Sequence, residues 1–350
     1  VETMVERGYD VDVLSHRHLG PPRRGDYDLF LGVRANFDHV TQGLDPSCIR
    51  VLHVDTTHWL FNNHASLGRS LEVQLSRGVT PERDIEIERN DAIEAAHYAV
   101  APGNEFVYET FAYAGKPMFE IVNPAITVRS RPIGKDFAAI RRNFLWLGSR
   151  GLAHKGLGRV LEAFAELPEH NLTVCGPLAE EPRFCEAYRR ELTELPNVRV
   201  LGWVDVTGPE FAEIARTSLA HVLPSCAEAQ AGASINCMAA GLIPMVSRQV
   251  ALNVTPDFGV MLEDDSVEGV RRAVRALSTR PPDQLAGMSQ RAWDTARTRH
   301  SLDSYKLVLG DVLERILAEH PRLGAVGFVR LGEAEAVEPA RRATMTGRAR

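Results

Sequence analysis

The chain predicts an α/β protein of two lobes, on three observations. Short apolar runs bounded by turn residues, such as Asp26-Tyr-Asp-Leu-Phe-Leu-Gly-Val and Ile49-Arg-Val-Leu-His-Val-Asp, have the pattern of buried parallel strands. They alternate with helical stretches, as strand–helix–strand units do. The 350 residues, 44% of them hydrophobic, are enough for two cores of ordinary size.

Composition narrows the function classes. The net charge is −6 and the isoelectric point near 6.1, so no global pull toward nucleic acid or an anionic membrane is expected, and nucleic acid is not an expected partner. The five cysteines (Cys48, Cys175, Cys185, Cys226, Cys237) are odd in number and scattered, with no Cys-x-x-Cys pair. That argues against a disulfide framework and a thiolate zinc site, and the thiols read as buried and reduced. No apolar run approaches the roughly 20 residues of a membrane span, and no basic-then-apolar leader precedes the first lobe, so a cytoplasmic protein is expected.

In chain order, the sequence opens in mid-element: residues 1–14 read as the last turns of a helix, a glycine stop at Gly8 and a strand. The runs at 26–33 and 49–55 follow, then a helical pattern between Ser76 and Val107, and Lys116-Pro117 leading into Phe119-Glu-Ile-Val. These make a first domain over 1–128. Residues 129–143, with Arg129, Arg131, Arg141 and Arg142 beside Pro132 and Gly134, form a polar break and are assigned as the linker.

Alternation restarts over 144–300, the second domain. Strands are expected at 144–148, 171–175, 198–201 and 219–223, with helices at about 157–166, 181–194 and 208–217. A closing amphipathic helix is expected over 301–320, with Tyr305, Leu307, Val308, Val312, Ile316 and Leu317 near helical spacing. Residues 321–350, rich in Gly, Ala, Glu and Arg, have too few apolar residues to order themselves beyond about 331.

The most informative segment is Val222-Leu-Pro-Ser-Cys-Ala-Glu228-Ala-Gln-Ala-Gly232-Ala-Ser-Ile-Asn236, followed by Gly241 and Pro244. It reads as strand end, tight polar loop, helix from near Ser234, glycine stop and next strand. A loop of small residues entering a helix brings backbone N–H groups and the positive end of the helix dipole toward a polar ligand. The segment resembles the donor-binding signature of the group 1 (family 4) glycosyltransferases, in which Pro-Ser-x-x-Glu is followed eight residues later by a second Glu. Three more motifs fit in register: Phe144-Leu-Trp-Leu-Gly-Ser-Arg150 with Lys155-Gly156, Leu172-Thr-Val-Cys-Gly176-Pro177, and Pro196-Asn-Val-Arg-Val-Leu-Gly-Trp203.

The resemblance implies the GT-B fold, two Rossmann-like domains facing across a cleft, with the donor nucleotide sugar on the second and the closing helix crossing back to the first. It implies transfer from a nucleotide diphosphate donor to a glycan or lipid-linked acceptor, with retention, without metal and without a cofactor beyond the donor itself. The family's first strand and glycine-rich loop find no counterpart ahead of Val1, so the chain reads as shortened there.

Site residues follow from the chemistry. A leaving diphosphate released without metal needs cations and a helix N-terminus, and Arg150 and Lys155 flank a loop that runs from a strand end into a helix near Gly156. The family pattern is Gly-Arg; this chain has Gly-Ser-Arg, one residue longer. By resemblance Glu228 meets sugar hydroxyls, the backbone around Ala229, Gln230, Ala231 and Gly232 faces sugar and diphosphate, and Gly176 lies in the donor site. Asn236 stands where the family's Glu accepts from the ribose, keeping one acceptor oxygen and losing the charge. His58, after the strand ending near Asp55, is the candidate for the reaction centre, with His53 its competitor. Two other readings stay open: a non-catalytic nucleotide-sugar or glycan binding protein, and a metal-dependent hydrolase built on His53, Asp55 and His58. A peripheral contact with a membrane carrying a lipid acceptor also stays open.

Overall fold

The computed structural model describes residues 1–23, 26–82, 86–127 and 134–320. Four strands, β1 (Leu29–Gly32), β2 (Ile49–His53), β3 (Tyr98–Pro102) and β4 (Met118–Ile121), form a parallel sheet in sequential order. Around them lie α1 (Glu2–Glu6), α2 (Arg34–Thr41), α3 (Trp59–Arg77), α4 (Ala92–Ala95) and α5 (Glu105–Phe111).

After α6 (Phe137–Ile140) the second sheet begins with β5 (Asn143–Leu147), followed by α7 (Leu157–Ala165), β6 (Asn171–Cys175), α8 (Pro182–Ala187), α9 (Arg189–Thr193), β7 (Val198–Gly202) and α10 (Pro209–Thr217). The chain continues through β8 (Ala220–Leu223), α11 (Gly232–Ala239), β9 (Ile243–Val246), β10 (Val260–Met261), α12 (Val267–Ser278), α13 (Pro282–Arg299) and α14 (Leu302–Ala318). Its order is β7-β6-β5-β8-β9-β10, all parallel, so winding proceeds outward one way from β5 and then the other way from β8. This is the doubly wound order of a Rossmann domain.

The strands are apolar on both sides because helices cover both faces. Along β5, Phe144 and Trp146 enter a core shared with α7, α12 and α13, while Leu145 and Leu147 point the other way, toward Phe211, Ile214 and Cys237. In the first lobe the far face of the sheet is covered by the last helix: Leu309, Leu313 and Ile316 of α14 pack on Ile49, Val51, Val100 and Ile121. The first helix is pinned to the same helix by Arg7, which reaches Asp311 at 2.9 Å and Glu314 at 2.6 Å.

Several expected elements differ. Residues 9–14 form no strand. Between Ser76 and Val107 the main helix lies earlier than expected, as α3, and only α4 and the start of α5 are helical. The expected helix at 181–194 breaks at Tyr188 into α8 and α9, and the helix expected from Ser234 starts at Gly232. Residues 128–133 of the linker and the whole of 321–350 lie outside the described residues. The rest of the linker is anchored by Lys135, whose buried ammonium donates to Gly241 O at 2.9 Å and Ser218 O at 3.2 Å. Burial brings its pKa down to about 7.

Helix α3 starts on the first lobe, where Phe61 packs edge-on to Phe106, and ends on the second. Arg69 donates to Pro224 O at 3.0 Å and meets Asp265 at 2.6 Å, and Arg77 reaches Glu162 at 2.8 Å and Glu191 at 3.0 Å with its guanidinium over the Tyr188 ring. The buried residues of this helix are Asn62, Ser66, Arg69 and Val73, three of them polar. Apolar periodicity therefore does not reveal its docked face.

Trp146 is fully buried, its ring lies against Gly148 and Gly176, and its indole N–H donates to Lys155 O at 3.3 Å. Trp146→Ala is expected to cost about 3–5 kcal/mol in urea denaturation, at the upper end for core truncations, because it also releases the loop after β5.

Candidate active site

The loops after β5 and β8 leave the sheet where the winding reverses, the place where an open α/β sheet has a crevice not filled by its crossover helices. The first loop enters α7 through Gly156, in the left-handed region at φ 71°. An added Cβ there would lie 2.4 Å from Pro224 O in the second loop, so backbone conformation and close approach both demand glycine. His154 ties the loops together: its buried ring bonds through Nε2 to Ala227 O at 2.7 Å, and its carbonyl accepts from Cys226 N at 3.0 Å. Burial holds the His154 pKa below its ordinary value, against the opposing pull of Glu228.

Lys155 and Glu228 meet in this crevice. The Lys155 ammonium donates to Glu228 Oε1 at 2.5 Å, and Ser225 Oγ donates to the same oxygen at 2.9 Å. The two side chains are 8% and 17% exposed, so the pair is shielded from bulk water. Burial alone would raise the carboxyl pKa; Lys155 foremost, with His154 and the Ser225 hydroxyl, outweighs it and holds Glu228 below the usual carboxylate range.

The other expected residues are placed as follows. Asn236, on α11, accepts from Ile126 N at 2.9 Å and donates to Gly232 O at 2.9 Å. Gln230 sits at φ 51°, a strained conformation for a side-chain-bearing residue, and accepts from Asn123 N at 2.8 Å across the lobes. Ala229 and Ala231 are buried, and the N–H of Ala231 donates to Val250 O at 3.3 Å. Gly232 opens α11 with Asn123 nearby, and Gly176 lies against Gly148 O, so a Cβ at 176 would crowd the ends of β5 and β6. Gly176 therefore has a packing reason to be glycine.

Two candidates lie apart from the Lys155–Glu228 pair. Arg150 is 76% exposed and bonds to Glu180 instead. His58 is the N-cap of α3: its Nδ1 accepts from Leu60 N at 3.3 Å, and its Nε2 meets Tyr113 Oη at 3.1 Å, which in turn donates to Glu94 at 2.6 Å. That arrangement makes Nε2 the protonated nitrogen, with all these partners in the first lobe. The metal reading loses its ligands: Asp55 is taken by Arg34, His58 by its cap, and no group of three His, Cys, Asp or Glu gathers among the described residues.

Glu181 was not legible in the sequence. Its buried carboxylate accepts from Gly151 N at 2.7 Å and Leu152 N at 3.0 Å, so the loop's own N–H groups are already satisfied by an internal anion. Ser225 could have been read from the Pro-Ser pair of the motif; no spacing rule points to Glu181 or His154.

The family model described as glycosyl transferases group 1 matches residues 141–280, which span β5 to the end of α12 and contain Lys155, Glu228 and Asn236. The second lobe is a group 1 glycosyltransferase domain. No curated protein sequence matches the chain. Among solved structures, the glycosyltransferase domain and its companion lobe together resemble HepE of Anabaena, solved with UDP and glucose, at TM-score 0.59 and 14% identity over 83% of this chain and 79% of that one. Sucrose-phosphate synthase of Thermosynechococcus elongatus gives 0.64 and 13% over 84% and 74%, and a glycosyltransferase of Rickettsia africae 0.58 and 13% over 83% and 77%. At these identities the likeness shows the fold, which is GT-B, as the motifs led one to expect.

A depressed folded-state pKa means that Glu228 contributes stability fully above the ordinary value of 4.5, and that this is lost as pH falls through the depressed one. Lys155→Met should leave burial less opposed and raise the Glu228 pKa. The variant is expected to lose about 3–5 kcal/mol at pH 7 and progressively less as Glu228 protonates, read by urea denaturation at several pH values and by carboxyl-carbon NMR.

Proposed function

We propose that this glycosyltransferase moves a sugar from a nucleoside diphosphate donor to a glycan or lipid-linked acceptor, with retention of configuration and without a metal ion. The observation that carries the reading is the buried Lys155–Glu228 pair at the sheet's switch point, inside the stretch matched by the family model. HepE of Anabaena, whose structure contains UDP and glucose, supports a uridine nucleotide as the first donor to test.

In this reading Lys155 exchanges Glu228 for the donor diphosphate, and the N-terminus of α7 adds its partial positive charge as the glycosidic bond breaks. Glu228, freed of the ammonium, accepts from sugar hydroxyls, while Ser225 holds it in place. Asn236 accepts from the ribose after yielding Ile126 N, and Arg150 reaches the diphosphate only by leaving Glu180. His58 has a positioning role, fixing the start of α3 and Tyr113 on the acceptor side of the cleft. Attack occurs on the face the diphosphate leaves, with the leaving group guiding the acceptor hydroxyl, so no protein nucleophile is needed.

One observation favours a second reading, a nucleotide-sugar or glycan binding protein without turnover: both ends of the Asn236 amide are used by the protein. Calorimetric titration with UDP, GDP and ADP, each with and without magnesium, tests the donor site. Saturable, magnesium-independent binding of one nucleotide is expected, weakened about 10- to 100-fold in Lys155→Ala, the equivalent of one charge-assisted contact of about 1.5–3 kcal/mol. A Lys155→Ala protein with full nucleotide-dependent turnover would remove the mechanism, and binding with no hydrolysis or transfer under any acceptor tried would favour the second reading.

A further inference from the structure

Helix α3 is amphipathic in the wrong sense for a single chain. Its buried face carries Asn62, Ser66 and Arg69, with Ser66 Oγ and Arg69 Nη1 lacking hydrogen-bond partners among the described residues, whereas its outward face carries leucines. Leu60, Leu67, Leu71 and Leu75 are 57%, 67%, 51% and 78% exposed. With His64 they follow spacings of four, three, four and four, one stripe along the helix. A contiguous apolar stripe of this kind marks an interaction site more often than chance exposure does.

Gly68 lies in the middle of this stripe. Glycine is a poor helix former, and an added Cβ here would meet nothing within 4 Å, so nothing among the described residues explains it. A glycine on an exposed helix face is explained when another backbone or a large side chain approaches it closely.

We infer that the outer face of α3 is an interface with a second copy of this chain, two α3 helices meeting antiparallel across a two-fold axis. The stripe is complementary to itself in that arrangement. Placing the axis between Leu67 and Gly68 sets Leu60 against the partner's Leu75, His64 against the partner's Leu71, and Leu67 against the partner's Gly68, a knob over the gap left by the missing side chain. An isologous contact requires this mirror-like pairing of one patch with itself. The face also suits a helix better than lipid. Its one acidic side chain, Glu72, is engaged by Arg159 at 2.7 Å, and it carries no lysine or arginine to meet anionic headgroups. The polar face that an interfacial helix would turn to water is instead docked on the second lobe.

The stripe from Leu60 to Leu75 is about 22 Å long and one helix wide, extended at its start by Tyr113, which is 60% exposed beside His58. That is smaller than the roughly 800 Å² per partner of a standard stable interface, so the dimer should be concentration-dependent.

The test is the mass of the full chain in sedimentation velocity across a concentration series. The expected result is a rise from 38.7 kDa toward twice that value, abolished in Leu67→Glu and Leu71→Glu, whose side chains point to solvent and whose fold is checked by circular dichroism and thermal unfolding. Cysteine cross-linking reads the register, because four of the natural thiols are buried and Cys185 is half-buried. Gly68→Cys should form a disulfide dimer under mild oxidation, Leu75→Cys should not, and an equal mixture of Leu60→Cys and Leu75→Cys should. A mass fixed at 38.7 kDa throughout, or Leu75→Cys cross-linking as readily as Gly68→Cys, overturns the proposal. So does a monomer that sediments with phosphatidylcholine–phosphatidylglycerol vesicles through the same leucines, which would give the face to lipid.

Discussion

Among the described residues no strand runs from one sheet to the other, so side-chain contacts do much to fix how the two lobes face each other, and the buried guanidinium of Arg69 is the most consequential of them. It is 5% exposed and rests on the carbonyl of Pro224, the first residue of the loop that carries Glu228. Asp265, its carboxylate partner, is shared with Arg159, so one acid serves two cations and burial depresses the Arg69 pKa. A charge this deep is tolerated because both a carbonyl and a carboxylate face it; were the lobes to part, Arg69 would regain water while Asp265 kept Arg159. Beside these exchangeable contacts the closed arrangement has an apolar share: Ala229 and Ala251 of the second lobe pack into the first lobe's cluster, and Val73 of α3 packs into the second lobe's.

The site is built in the same manner. Four of the groups proposed to meet the donor already have protein partners: Lys155 has Glu228, Asn236 has Ile126, Gln230 has Asn123, Arg150 has Glu180. Ligand binding in such a crevice is an exchange of hydrogen bonds, and the net gain is the small difference between two well-made sets. Selectivity then depends on how well a ligand reproduces the bonds it breaks. This makes the charge at position 236 consequential: an amide is satisfied by a backbone N–H and a carbonyl at once, where a carboxylate can only accept.

The second lobe was legible in the sequence because its strands are apolar on both faces and its loops carry motifs at fixed offsets, so Lys155, Glu228 and Asn236 could be located before any coordinates. What was not legible shares a physical cause. The docked face of α3 is polar, so a search for apolar periodicity passes over Asn62, Ser66 and Arg69. Glu181 acts through a bond to backbone N–H groups thirty residues away, for which no local signal exists. For Arg150, the inserted residue in Gly-Ser-Arg was the warning, and the side chain indeed turns out to Glu180. His58 sits at a strand end as expected, but a histidine preceding a helix is equally a cap, and that is the use its ring has here.

Among the described residues the chain leaves the first lobe after β4 and returns to it between α13 and α14, and the two passages are bonded to each other. Ala125 N donates to His300 O at 2.8 Å, and the His300 ring meets Asn123 O at 3.0 Å. Burial brings the His300 pKa down to about 4, so this link keeps one protonation state through the neutral range. The two crossings therefore meet at one point of the seam, and a parting of the lobes that kept these bonds would have to turn about that point.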